Sequence, residues 1–454
     1  MQLRHSGTRD GGTDESAGRR ATEIGCEARP LAAALTAATC ALLGPGAPSV
    51  VAAQELAPLD VDTALLYYGE ADGRVQDLSF NATLRKELKE ESFLSLKLAV
   101  DTLTGASPNG AVPSTRVQTF TRPSGKDRYS VAPGEHPLDD TFHDSRTALD
   151  ASWQQPLGRL ALLDVGLGFS TEYDYEHAGV NARIARDFNK RNTTLSAGIA
   201  YGRDNVDPVG GSPIGLAPML EVGNASNKLG GRSKDVTDFL LGVTQVIDRH
   251  TLVQLNYSLS RSDGYLSDPY KVLSVVDPTT AEPVAGPAGS GLNLYLYEKR
   301  PDAREKQSVY ALVKRDVGGD VLDVSFRYMT DDWGIDSETV ELRYRFNLRA
   351  DKYLQPHVRF YSQSAADFYH TLLFAGRPVP DFASADYRLG EFDAVTMGIK
   401  LGMKTRRGEM STRLELYRQS GTPEPGTAVG VLAGLDLNPD LRAVIAQFTY
   451  RFGR

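Results

Sequence analysis

The feature that most constrains this chain is a two-residue alternation of apolar and polar side chains. It recurs from about residue 61 to the end of the sequence. Thr251, Val253, Leu255, Tyr257 and Leu259 fall on one face of an extended segment, and Gln254, Asn256, Ser258 and Ser260 on the other. The pattern returns in Leu94, Leu96, Leu98 and Val100, in Leu322, Val324, Phe326 and Tyr328, in Val340, Leu342, Tyr344 and Phe346, and in Val444, Ala446, Phe448, Tyr450 and Phe452. Successive side chains of a strand point to opposite sides, so each segment reads as a strand with one apolar and one polar face. Sixteen such segments can be placed, starting near 61, 74, 91, 144, 159, 177, 193, 235, 251, 305, 321, 335, 353, 391, 409 and 441.

The connections sort by length. Long ones at 104–143, 204–234, 261–304, 363–390 and 421–440 all have the same parity in the strand order, and every connection of the other parity is short and polar. An up-and-down antiparallel transmembrane β-barrel of about sixteen strands predicts this segregation, with short turns on the periplasmic side and long loops outside. A Greek-key sandwich gives no reason for it. Desolvation then assigns the faces. A charge facing hydrocarbon costs about 2–4 kcal/mol at mid-depth, so the Leu/Val/Phe/Tyr face must meet lipid and the Arg/Asp/Ser/Gly face the lumen. After Gln54 no apolar run is long enough to cross a membrane as a helix.

The amino-terminal 1–53 reads as an extended n-region and a cleavable signal peptide. The short apolar run Leu31–Leu43 follows arginines, and Val51 and Ala53 fit the small residues required before a cleavage site. Residues 54–454 then form a single barrel domain. Both cysteines, Cys26 and Cys40, fall in the removed segment, which suits an oxidising envelope compartment without disulfides. The net charge is −8, with no basic run, and this argues against nucleic-acid binding.

The carboxyl end, Val444, Phe448, Tyr450 and Phe452, resembles the assembly signal of bacterial outer-membrane proteins, with Gly453 and Arg454 as an overhang. The chain from 55 onward also resembles an uncharacterised, porin-like outer-membrane barrel family of about 400 residues. The stretches that carry the likeness are Asp62–Tyr68, Asp101–Gly110, Leu266–Lys271, Tyr328–Gly334, Tyr361–Tyr369 and Asp386–Gly390. The resemblance implies an outer-membrane location and a barrel, and brings no activity. Residues Asp101, Asn109, Asp331, Asp332, Trp333, Gln363, Asp367 and Arg388 of these stretches lie at strand–loop junctions, which fits either a lumen plug or a partner site.

No catalytic grouping emerges. There is no nucleophile-elbow motif, and no histidine has an evident Ser or Cys partner. His136 and His143 flank Asp139 and Asp140, with Asp144 following. Their spacing matches no metal motif, and a solvated loop explains them. No enzyme activity, cofactor or metal is therefore expected. The lumen face carries the pattern with most chemistry. Arg327, Arg343, Arg345, Arg359, Lys400 and Arg413 fall on five consecutive strands, with Glu341 and Glu415 among them. Lining charges select ions, and an Arg/Glu ladder equally braces an inner wall.

The expectation is an outer-membrane channel for passive or facilitated diffusion of small polar solutes or ions, with a basic arc. A plugged barrel that docks another envelope protein is the alternative, and an outer-membrane enzyme is a distant third. Outer-membrane lipids, lipopolysaccharide and the barrel-assembly machinery are the expected partners.

Overall fold

The computed structural model describes residues 59–452 apart from positions 90 and 439. The expected signal segment 1–53, its cleavage site and the overhang after Phe452 lie outside the described residues. Sixteen strands close into one barrel. They are β1 (Asp60–Glu70), β2 (Val75–Lys89), β3 (Ser92–Pro108), β4 (Leu138–Pro156), β5 (Ala161–Thr171), β6 (Tyr175–Phe188), β7 (Thr193–Val206) and β8 (Arg232–Asp248). The circuit continues with β9 (Thr251–Gly264), β10 (Ala303–Val317), β11 (Asp320–Asp331), β12 (Asp336–Arg349), β13 (Lys352–Gln363), β14 (Phe392–Thr405), β15 (Gly408–Gly421) and β16 (Leu441–Phe452). Each strand pairs antiparallel with the next in sequence, and β1 closes on β16 from Val61↔Phe452 to Glu70↔Ala443.

The apolar face of every strand looks outward. Leu65, Phe80, Leu98, Leu149, Phe169, Ile199, Leu241, Leu255, Phe326, Leu342, Phe360, Ile399, Leu414 and Phe448 are all exposed on the outer wall. Such a surface is stable only against hydrocarbon, where every backbone N–H and C=O must be paired within the sheet. Closure supplies that pairing.

The strand positions agree with the alternation, and the largest departure is at β4. It starts at Leu138 rather than near 144, because β3 continues past a bulge between Gly105 and Ser107 to Pro108 and gives the added residues a partner. The first long loop is accordingly 109–137. The other long loops shorten in the same way to 207–231 and 265–302, while the last two run 364–391 and 422–440.

These loops are not loose. They pack on one another into an outer cap with apolar cores of its own. Ala111, Phe120 and Val131 from the first long loop, Met219 from the second, and Val272, Leu292, Tyr295 and Tyr297 from the third form one cluster. The Phe120 and Tyr295 rings lie 4.5 Å apart, and the Tyr295 hydroxyl donates to Gln118 Oε1 at 2.8 Å. A second cluster joins Val112, Val276, Ala281, Leu372 and Leu432, drawing in the last two loops. Short strands knit the cap through main chain: Val272–Val276 pairs antiparallel with Tyr295–Tyr297 and parallel with Leu373–Phe374. Gly110 is held at φ +94 where a Cβ would lie 2.6 Å from the Val272 carbonyl oxygen, so only glycine lets the first loop come this close.

The lipid-facing and lumen-facing positions predict opposite responses to the same new charge. Leu414→Arg on the outer wall of β15 should destabilise the folded barrel by about 2–4 kcal/mol. Gln447→Arg, which faces the lumen on β16, should change it by less than about 1 kcal/mol. Urea titrations of both variants refolded in lipid vesicles measure the difference.

Candidate functional site: the charged lumen and its cap

Backbone register places the expected lumen residues on one inner wall. Glu341 on β12 pairs with Arg359 on β13, Arg343 with His357, and Lys400 on β14 with Arg413 on β15. Arg327 on β11 faces Thr339 on one side and Tyr310 on the other, and its guanidinium lies 5.5 Å from the Tyr310 ring centroid. Arg359 lies 6.0 Å from the Tyr361 ring.

The centre of this wall is a residue whose inward direction the alternation gives but whose role it does not: His357. Its Nδ1 lies 2.9 Å from Glu415 Oε1, and its Nε2 lies 2.7 Å from Glu341 Oε1, the latter an ion contact rather than an aligned hydrogen bond. Arg343 pairs with Glu341, and Arg413 lies 3.7 Å from Glu415. Glu415 reaches His357 across the whole width of β14. It does so because Gly398 stands between them in register, where a Cβ would come within 2.5 Å of Glu415 Cγ. A second side chain uses the same device. Tyr353 lies against Gly402, with Arg345 3.6 Å and Lys400 5.8 Å from its ring centroid, and donates to Glu409 Oε1 at 2.8 Å. The wall is thus both braced and basic. The Arg343 side chain remains 43% exposed, open to lumen water. On β8 and β9, one strand away from this arc, the lumen-facing Gly242, Gln254, Asn256 and Ser258 are uncharged.

At the outer end the junction residues converge on the cap. The Asp331 carboxylate accepts from the backbone N–H groups of Trp333 and Ile335 at 3.0 and 2.9 Å and from Arg304 Nε at 2.8 Å. Asp332 accepts from the Glu305 N–H at 2.9 Å. Trp333 donates from Nε1 to the Ala303 carbonyl and stacks edge-on against Phe368 at 5.0 Å. The Asp367 N–H donates to the Trp333 carbonyl at 2.8 Å. Gln363 Nε2 donates to the carbonyls of Arg388 and Gly390. The Asn109 side chain donates to the Tyr129 hydroxyl and accepts from the Ala111 N–H. Asp101 sits lower on β3, 3.9 Å from Arg146. Asp101 is therefore inside a strand rather than at the expected junction, and the other signature residues are fasteners of the cap.

Beneath the cap lies a cluster of three acids and three bases that the separate sequence stretches do not reveal. Arg300 contacts Glu298 at 2.6 Å and Asp386 at 2.8 Å. Arg388 contacts Asp386 and, at 3.0 Å, Asp268. Lys271 donates to the Pro108 carbonyl, joining the end of β3 to the third loop. Burial alone would raise the Asp386 carboxyl, but Arg388 and then Arg300 outweigh it and hold Asp386 well below the usual carboxylate range. For Glu298 burial prevails over Arg300 and pushes the carboxyl up. Elsewhere Asp139, grouped by sequence with His136, is taken by Arg122 at 3.1 Å. Asp144 instead meets Glu172 and Asp174, and Asp174 accepts from the Tyr270 hydroxyl.

A closed sixteen-strand sheet with an apolar exterior, a charged lumen and all its long loops at one end defines an outer-membrane β-barrel of bacteria. The chain belongs to the family described as "Protein of unknown function (DUF3570)", whose model matches residues 32–452. No curated protein matches it in sequence. Among solved structures, a bacterial polysaccharide outer membrane secretin is similar at 8% identity and TM-score 0.40, with 87% of this chain and 98% of that one covered. The CymD monoaromatic hydrocarbon channel is similar at 8% identity and TM-score 0.39, covering 92% and 93%. CdiB from Acinetobacter baumannii is similar at 7% and 0.42, covering 88% and 61%. Likeness at this level assigns no function.

Removing one side of a buried ion pair leaves the other charge stranded, at a cost of about 3–5 kcal/mol. Arg300→Met should therefore loosen the cap by about this amount while leaving the barrel closed. Hydrogen exchange should accelerate at the amides of 265–302 and 364–391 and not in the strands. The linkage sign for Asp386 is that of a depressed acid: its contribution is complete above the ordinary carboxylate range and is lost as pH falls below it. Glu298 opposes it in part. The Asp386 contribution is thus weakened by acid, and amide protection factors, corrected for the intrinsic exchange rate at each pH, measure this at pH 3 against pH 7.

Proposed function

We propose that the protein is an outer-membrane channel for small polar or ionic solutes, with a lumen that favours anions and an outer mouth closed by the cap. The observation that carries this reading is the basic wall: Arg327, Arg343, Arg345, Arg359, Lys400 and Arg413 on five consecutive strands of the lumen. Asp323 and Glu409 temper this excess on the same wall without cancelling it. A charge-lined lumen attracts counter-ions and orients dipolar solutes, and sixteen strands leave room for water between the walls. The paired carboxylates Glu341 and Glu415 keep the arginines extended along the wall rather than across the lumen.

The cap favours a second reading, in which the barrel is a scaffold that presents a folded outer surface to another envelope protein. Loops with their own apolar cores and a buried ion cluster are more structure than a passive mouth requires.

Planar-bilayer recordings separate the two. The intact protein should conduct little, and Arg300→Met should raise the frequency of open steps several-fold. In that background, Arg343→Gln with Arg413→Gln should shift the reversal potential in a salt gradient toward cation preference. Absence of steps in the cap-loosened variant would sink the channel reading and leave the scaffold.

A further inference from the structure

Two arginines stand directly opposite each other on the outer wall. Arg418 on β15 and Arg442 on β16 are register partners. Both lie on the lipid-facing side, in line with Leu414 and Leu416 below the one and Val444 and Phe448 below the other, all exposed on the outer wall. The two guanidinium-bearing side chains are 62% and 66% exposed. Like charges directly across a strand pair repel, so this juxtaposition needs an anion. The protein supplies one. Asp440 Oδ2 lies 2.6 Å from Arg418 and 3.9 Å from Arg442, and Asp440 Oδ1 accepts from Ser420 Oγ at 2.8 Å. One carboxylate against two guanidinium groups leaves one positive charge, with Arg442 only loosely engaged.

The height of the pair specifies the partner. Phe452 and Arg442 are ten residues apart on β16 (452 − 442). At about 3.3 Å per residue and a tilt of about 40°, that is a rise of about 25 Å, the full apolar band of such a barrel. Phe452 is at the periplasmic rim, so Arg442 and Arg418 stand where hydrocarbon gives way to headgroups on the outer side. They are the first polar step above Leu416 and Val444, and the neighbouring outward residue across β14 is Val395.

We propose that Arg418 and Arg442 form a clamp for the phosphate of an outer-leaflet lipid headgroup, which displaces Asp440 from Arg418. Two guanidinium groups aimed at one anion match phosphate geometry through forked hydrogen bonds. The acyl chains of that lipid would run down the Leu414, Leu416, Val444 and Phe448 surface, so one molecule would satisfy both the charge and the apolar wall below it. The clamp is independent of what crosses the lumen.

The test uses the full barrel in detergent, extracted from outer membrane. Wild type, Arg418→Gln with Arg442→Gln, and Asp440→Asn are compared by native mass spectrometry for retained phosphorylated lipid. The double variant should retain about tenfold less, from the loss of charge-assisted hydrogen bonds. Asp440→Asn, which removes the competing carboxylate, should retain more than wild type. Heat-modifiable gel mobility confirms that each variant is folded. Equal retention by all three proteins would overturn the proposal, as would retention lost equally in Asp440→Asn and the double variant. Inorganic phosphate in the millimolar range should not displace the lipid. Displacement would mark a free-anion site and overturn the lipid assignment.

Discussion

Everything in this molecule depends on the pairing of main-chain groups in hydrocarbon. A strand edge exposed to lipid leaves several N–H and C=O groups unsatisfied, each at a cost of kilocalories, so the sheet must close on itself. β1 and β16 meet over ten residues on each side, from Val61↔Phe452 to Glu70↔Ala443, and that ladder completes the circuit. Once the sheet is closed, inside and outside are fixed for every residue by parity alone. The charged lumen, the apolar exterior and the gathering of all long loops at one end then follow from the strand count and the loop lengths.

Strands and faces are legible in the sequence for the same reason. The shared parity of the long loops and the alternation in segments such as Thr251–Ser260 locate strands and faces, because both are local or nearly so. The lumen arc was legible for the same reason. Arg343, Arg359 and Arg413 point inward because Leu342, Phe360 and Leu414 point outward. Which partners they take was not legible. Glu415 meets His357 over Gly398, and this depends on register between strands that sequence periodicity leaves open. His357 was visible as a lumen residue and not as the centre of the wall, since nothing near it in sequence marks Glu415, 58 residues away, as its neighbour.

The cap was the least legible part. Its contacts join residues far apart in the chain. Tyr295 meets Gln118 across 177 positions, and Lys271 meets Pro108 across 163. A core assembled from five loops has no period, because each loop contributes only a few apolar residues in irregular order. The junction stretches were conspicuous as motifs, and what they do is fasten loops: Asp331 caps a turn, Trp333 fills a gap beside Phe368, and Gln363 holds the backbone at Arg388 and Gly390.

The parallel pairing of Val275–Val276 with Leu373–Phe374 has a consequence for how the molecule comes into being. Those residues belong to hairpins crossing the membrane at different points of the circuit, and Leu432, in the last loop of all, sits in the same apolar cluster as Val112 from the first. The lid therefore has no autonomous half. Until the final hairpin has delivered its loop to the outer face, the earlier loops lack the surfaces they pack against. The packed outer cap is a property of the finished circuit alone.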